Sequence, residues 1–295
     1  MLRELSTAEI DTFRSRGVLW LRHAFTEDTA QAVRDFIFAE LERLHGIRAS
    51  DRSTWTLPHG HNLWGAVWPG LNRSAEHPVY QRIGTPRLLG AVHDLLGGEP
   101  RLPKRWGGFL TNPPDSVFLP PGAPPPAWRV PAEGWHWDGR WQPGSSSSAV
   151  WVFTFFGSVP PRAGGTLLVE GSGQLLDAFM LSLSEHERSA KQSMLRERFC
   201  RFHPWIAQLT GHALPADYAR ARSPEELMRE YSEPNGVRLR VVEATGEPGD
   251  AILCHPHILH ARPPQHGDEP RLMAVTALSR EHPRSEQAQT KSPGV

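Results

Sequence analysis

From Thr26 onward, apolar side chains recur at Ala30, Val33, Ile37, Leu41 and Leu44, a spacing of three or four that gathers them on one face of a long helix. A shorter helix precedes it. Ser6 and Glu9 are spaced as a capping box, Ile10 and Phe13 share a face, and Gly17 offers the stop, after which "VLWLR" reads as a strand. Thr85 and Pro86 form a cap and first-turn pair for a third helix through Val92 and Leu96, ended at Gly97. Residues 1–100 are therefore expected to form a helical layer.

The pattern changes at Arg101. "RWGGFLTN", "SSAVWVFTFF", "GTLLVEG", "GVRLRVVEA", "GDAILCHPHILHA" and "RLMAVTALS" are short aromatic or β-branched runs punctuated by Gly, Pro and Asp. Strands without regular strand–helix alternation fit a sandwich, barrel or jelly roll and argue against a doubly wound fold. The expected class is mainly β with helices (α+β), a jelly-roll core over 101–280 in one domain, with 281–295 a disordered tail.

Two insertions interrupt the strands. "PPDSVFLPPGAPPPAWRVPAEG", from Pro113, is too proline-rich for a helix or central strand and is expected to be a loop, a candidate lid. The second, 175–231, reads as helical: Leu195, Phe199, Phe202 and Ile206 fall on one face, and Ser223, Pro224 and Glu226 make a further helix start.

Composition narrows the function more than the fold. Lys plus Arg and Asp plus Glu number 32 each, so no global field draws the chain to nucleic acid or anionic membrane, and neither partner is expected. The longest apolar run, "AVWVFTFFG", falls well short of the roughly 20 residues that span a bilayer. Cys200 and Cys254 lack ligand-like spacing and "MLRELSTAEIDTF" lacks a signal-peptide core, so a cytoplasmic setting is expected. A monomer or homodimer acting on a small molecule fits this picture.

Chemistry concentrates in two places. In "GWHWDGRW", residues two apart in a strand face the same side, so His136 and Asp138 can aim an imidazole and a carboxylate at one point. Such a pair also occurs in ordinary turns. "GDAILCHPHILHARPP" supplies His255, His257 and His260, and a triad of two histidines and one carboxylate needs only one of them. Spacing does not choose among the three. Arg271, on the following strand, could pair with a carboxylate bound near the metal or lie on the surface at a strand start.

Taken in order, "LSTAEIDTFRSRGVLWLRHAF", "LTNPPDS", "HWD", "AGGTLLVEGSG", and "GDAILCHPHILHARPP" with "PRLM" resemble the phytanoyl-CoA dioxygenase family of Fe(II)- and 2-oxoglutarate-dependent oxygenases over most of the chain. The resemblance implies Fe(II) on His136, Asp138 and His260, with His255 and His257 as bystanders. It implies 2-oxoglutarate held at its distal carboxylate by Arg271, O2 as the oxidant, and release of succinate and CO2, most simply with hydroxylation of a small molecule, for which family analogy suggests a natural-product intermediate. Asp138 stands where related halogenases carry a small residue, which disfavours halogenation. Three positions depart from the family. Phe153 replaces a common tryptophan near the cosubstrate, Arg262 replaces a small hydroxyl residue, and Gly173 replaces the histidine of a Gly-Ser-His. Trp137, Arg140, Trp141 and Arg262 are candidates for substrate contact. The alternative is a metal-binding sensor or binding protein of the cupin type without 2-oxoglutarate turnover.

Overall fold

The computed structural model describes residues 3–56, 68–120, 123–124, 127–144, 148–212 and 224–280. Expectations for the tail 281–295 and for Ser223 lie outside the described residues.

The amino-terminal layer forms as its local signals dictate. Helix α1 (Thr7–Arg16) has its capping box: the Glu9 amide donates to Ser6 Oγ and the Ser6 amide to the Glu9 carboxylate. Strand β1 (Val18–Leu21) follows, then α2 (Glu27–His45), whose Ala30, Val33, Ile37 and Leu41 are buried. A short α3 (Pro78–Gln81), which the apolar pattern does not announce, precedes α4 (Pro86–Leu96), capped by Thr85 and ended at Gly97.

The remaining strands are β2 (Gly108–Asn112), β3 (Ala149–Phe155), β4 (Leu167–Glu170), β5 (Tyr231–Ser232), β6 (Arg238–Glu243), β7 (Ala251–Cys254), β8 (Leu259–Ala261) and β9 (Arg271–Ser279). They pair antiparallel in two sheets, ordered β1-β7-β3-β9-β2 and β5-β6-β4-β8. Between β4 and β5 lie helices α5 (Ser172–Ser182), α6 (Glu185–Arg188), α7 (Gln192–Phe202), α8 (Pro204–Leu209) and α9 (Pro224–Met228).

Alternation along the strands sorts side chains into three cores. In β3 and β9, Val150, Val152, Leu272 and Ala274 turn outward onto α1, α2 and α4. Phe153, Phe155 and Met273 turn the other way and meet Leu168 of the smaller sheet, so the space between the sheets is their common interior. The outer face of the smaller sheet, with Leu167, Val169, Leu239 and Val241, is covered by Phe179, Leu195, Phe199 and Ile206 of the insertion. The order is helices, sheet, sheet, helices, an α+β arrangement as expected.

Two expectations need correction. "GDAILCHPHILHA" is not one strand: it ends as β7 in the larger sheet and resumes as β8 in the smaller, with the Ile258 amide bonding to the His255 carbonyl in the turn between. Nor do Leu195, Phe199, Phe202 and Ile206 line one helical face. Proline at 204 starts a new helix, and Phe202 at the end of α7 is 46% exposed. The insertion begins slightly earlier than 175, at Ser172.

Ile37 is fully buried in the layer that packs α2 on the larger sheet. Ile37→Ala should cost about 2–5 kcal/mol in urea denaturation, with the midpoint falling and the slope unchanged. A loss below about 1 kcal/mol would mean that α2 is not locked onto the sheet.

Candidate metal centre

The motif residues lie in the loop before β3 rather than in a regular strand, and two glycines bracket them. Gly134 at φ 81° and Gly139 at φ 74° take left-handed backbone that other residues rarely adopt, letting the chain turn into and out of the tripeptide between them. Within it, His136 forms a single antiparallel bridge with His260 of β8: its amide donates to the His260 carbonyl at 3.0 Å, and its carbonyl accepts from the His260 amide at 2.8 Å. Directly paired residues project to the same side, so the two imidazoles lie side by side with ring centroids 4.2 Å apart.

Each ring is oriented by a carbonyl two residues earlier. His136 Nδ1 lies 2.8 Å from the Gly134 oxygen and His260 Nδ1 3.0 Å from that of Ile258. A carbonyl can only accept, so both Nδ1 atoms carry a proton and both Nε2 atoms are left to face Asp138. Asp138 completes the set, its oxygens 4.0 Å from His136 Nε2 and 3.5 Å from His260 Nε2. One donor atom from each of the three residues falls within 4.8 Å of the others, so the group can hold a metal ion. Hydrogen bonding to His260 holds the Asp138 carboxyl below its ordinary range against the opposing effect of burial. Burial, with His260 adding to it, lowers the pKa of His136. With the Nε2 protons shed, two imidazole nitrogens and one carboxylate make the donor set that a metal requires.

The tryptophans explain the other half of the motif. Trp135, Trp137 and Trp141 are buried among the insertion helices rather than beside the ligands. Trp137 meets Phe199 edge to face and lies under the Arg196 guanidinium, while Trp141 Nε1 donates to Asp177 at 2.7 Å. From the same side, Arg196 donates to the Trp137 carbonyl at 2.8 Å and Gln192 to that of Gly139 at 2.8 Å. Asp138 is thus held by both of its neighbours' carbonyls. Gln192 and Arg196 were not evident from the sequence, since helical spacing marks a face but not the loop that the face will meet.

Arg271 is 2% exposed, which excludes a surface role. It shares the interior face of β9 with Met273, and its Nη1 reaches the Gly164 carbonyl and lies 3.5 Å from Thr166 Oγ1, while Nε donates to the Leu110 carbonyl. Thr166 lies two residues before Leu168, the register partner of His260, so the guanidinium and the imidazole are near one another on the interior side. Burial, reinforced by Arg262, pushes the Arg271 pKa down to about 9, with Asp115 opposing; the side chain remains a cation at neutral pH. Its register partner Asn112 is fully buried with Oδ1 unpartnered, a polar position that only the β2–β9 pairing brings to notice.

The other sequence candidates fall elsewhere. Phe153 is 3% exposed in the interior, opposite Val275 and Ile252. Arg262 lies 3.5 Å from Asp115. Trp137, Arg140 and Trp141 line a pocket of about 300 Å³ against the insertion helices. A different cavity, of about 520 Å³, adjoins Asp138 and is walled by Gly139, Arg105, Gly108, Trp151 and Thr276. His255 and His257 lie in the turn between β7 and β8, facing Asp177. Gly173 has a local reason: a Cβ there would come within 2.5 Å of His255 Nδ1, so the His255 ring takes the space a side chain would need.

No protein-family model matches the chain, and no curated protein matches it. Among solved structures, AviO1 from Streptomyces viridochromogenes Tue57 is similar in fold at 12% identity, covering 95% of this chain and 96% of that one with a TM-score of 0.51. EctD from S. alaskensis with bound Fe superposes more weakly, at 14% identity over 95% of this chain and 78% of that one, TM-score 0.46. HygX from Streptomyces hygroscopicus with nickel and 2-oxoglutarate bound is similar at 16% identity over 94% and 87%, TM-score 0.45. No helix among the described residues is long and apolar enough to cross a membrane.

His136→Ala, Asp138→Ala and His260→Ala should each weaken Mn(II) or Co(II) binding by more than about tenfold in calorimetry, while His257→Ala should bind as the parent does. Loss of binding in His257→Ala but not in His260→Ala would reverse the ligand assignment.

A pH effect follows from His255. Burial pushes its pKa down to about 4, with Asp177 opposing and His257 adding, and its Nδ1 accepts the His257 amide. In the unfolded chain the same ring titrates near the ordinary histidine value of about 6.5. The folded pKa is the lower one, so the contribution is fully present above pH ~6.5 and is lost as pH falls toward 4, by at most about 3 kcal/mol. Thermal midpoints should therefore fall less steeply across that window in His255→Gln than in the parent; parallel profiles would show that His255 does not titrate as described.

Proposed function

We propose that the chain is a non-haem Fe(II)- and 2-oxoglutarate-dependent oxygenase on a double-stranded β-helix, or jelly roll, of the phytanoyl-CoA dioxygenase type, and that it hydroxylates a small molecule. The observation that carries this reading is the pairing of a His-Asp-His donor set with a buried guanidinium whose hydrogen-bond partners are all neutral. A buried cation satisfied only by carbonyl and hydroxyl oxygens is well placed to receive a carboxylate. A metal-binding protein of the cupin type would have no use for Arg271 there.

His136, Asp138 and His260 would hold the iron, the Gly134 and Ile258 carbonyls keeping both Nε2 atoms directed inward. Arg271 would take the distal carboxylate of 2-oxoglutarate, with Asn112 and Phe153 as neighbours on the interior face. Iron with 2-oxoglutarate and O2 supplies the oxidising chemistry, the cosubstrate leaving as succinate and CO2. The chain's own part is to fix the ligand number and to orient the substrate carbon. The cavity beside Asp138, with the indole of Trp151 and the small Gly108 and Gly139 in its wall, is the place for that substrate.

Protein loaded anaerobically with Fe(II) and 2-oxoglutarate and then exposed to O2 should form succinate above the protein-free control, and His136→Ala, Asp138→Ala and His260→Ala should not. Iron binding with no succinate would favour the sensor reading. Arg271→Lys should raise the 2-oxoglutarate concentration needed for half-maximal turnover by about tenfold or more, since a point charge replaces a fork of donors; an unchanged requirement would remove Arg271 from the site.

A further inference from the structure

The pocket of about 300 Å³ behind the motif is chemically unlike the cavity beside Asp138. Its apolar wall is formed by Trp137, Trp141, Met180 and Leu195, and its polar wall by Arg140, Arg188, Lys191 and Gln192. Three cations with no carboxylate in the lining leave an uncompensated positive charge.

Two neighbouring acids are committed elsewhere. Glu187 takes the Arg198 guanidinium at 2.9 Å and closes the capping box of α6 with Ser184. Asp177 accepts from Trp141 and faces His255 and His257. Arg188 lies over the Trp141 ring at 5.8 Å and reaches the Met180 carbonyl, and neither it nor Arg140 nor Lys191 forms an ion pair among the described residues.

We propose that this pocket is a second binding site, for a small organic anion with a flat apolar body and a phosphate or carboxylate group. The body would lie against Trp141 and Leu195, and the anionic group among Arg140, Arg188 and Lys191. Gln192, in the same lining, donates to the Gly139 carbonyl next to Asp138, so an occupant would touch a residue that holds the ligand loop.

The test is calorimetric titration of the metal-free full-length protein with phenyl phosphate, benzoate and the neutral phenol. At least one anion should bind at one site, about tenfold or more tighter than phenol, and the stronger of the two identifies the preferred group. Arg140→Gln with Lys191→Gln, both exposed positions, should weaken that binding about tenfold, as should Arg188→Gln, and excess 2-oxoglutarate should not displace the probe. Equal binding of phenol and both anions, undiminished binding in the double variant, or displacement by 2-oxoglutarate would each overturn the assignment, the last by placing the anion at Arg271. None of these readouts depends on iron or turnover.

Discussion

Two reciprocal backbone hydrogen bonds between His136 and His260 are the constraint on which the centre depends. Each has an ordinary net worth of about 1 kcal/mol, but together they do what side-chain contacts could not: they set the register of a loop against a strand. A slip of one residue would replace His136 with Trp137 at the bridge and turn the imidazole toward the insertion. The tryptophans and the donors from Gln192 and Arg196 prevent that slip from the outer side. What looks in the sequence like an aromatic cage around a metal pair is an anchor on one face of the chain and a donor set on the other.

Polar groups enter the interior between the sheets from opposite layers: His260 and Thr166 from the side of the smaller sheet, Arg271 and Asn112 from the larger. Arg271 is held there by carbonyl and hydroxyl oxygens rather than by a carboxylate. That leaves Arg271 with capacity for an anion, at the cost of a guanidinium in a poorly solvated place. The outer pocket puts positive charge in a more open position, where its attraction for an anion is weaker but the desolvation penalty is also smaller.

Local signals were legible in the sequence. The capping box at Ser6, the Thr85–Pro86 start and the apolar face of α2 appear in the structure because neighbouring residues decide them. Most strands were legible as well, from composition and alternation. The break after Cys254 was not, because β7 and β8 are both apolar and nothing local states that the chain changes sheets there. His136 and Asp138 could be paired by spacing, whereas choosing His260 over His255 and His257 needed either a family resemblance or knowledge of that crossing. The direction taken by Trp137, Arg140 and Trp141 depended on where the insertion packs, which only tertiary structure decides.

The position of β1 has a consequence for biosynthesis. It is an edge strand near the start of the chain, and its partner β7 lies near the end, with Val18 opposite Cys254. A nascent chain can form α1 and α2 early, yet their apolar faces have no sheet to cover until β7 and β9 emerge. Such long-range pairing slows folding and leaves the amino-terminal layer exposed during elongation. The segment that follows β7 also carries His260 and Arg271, so the register of the first strand and the complete donor set become available together, once that segment has been made.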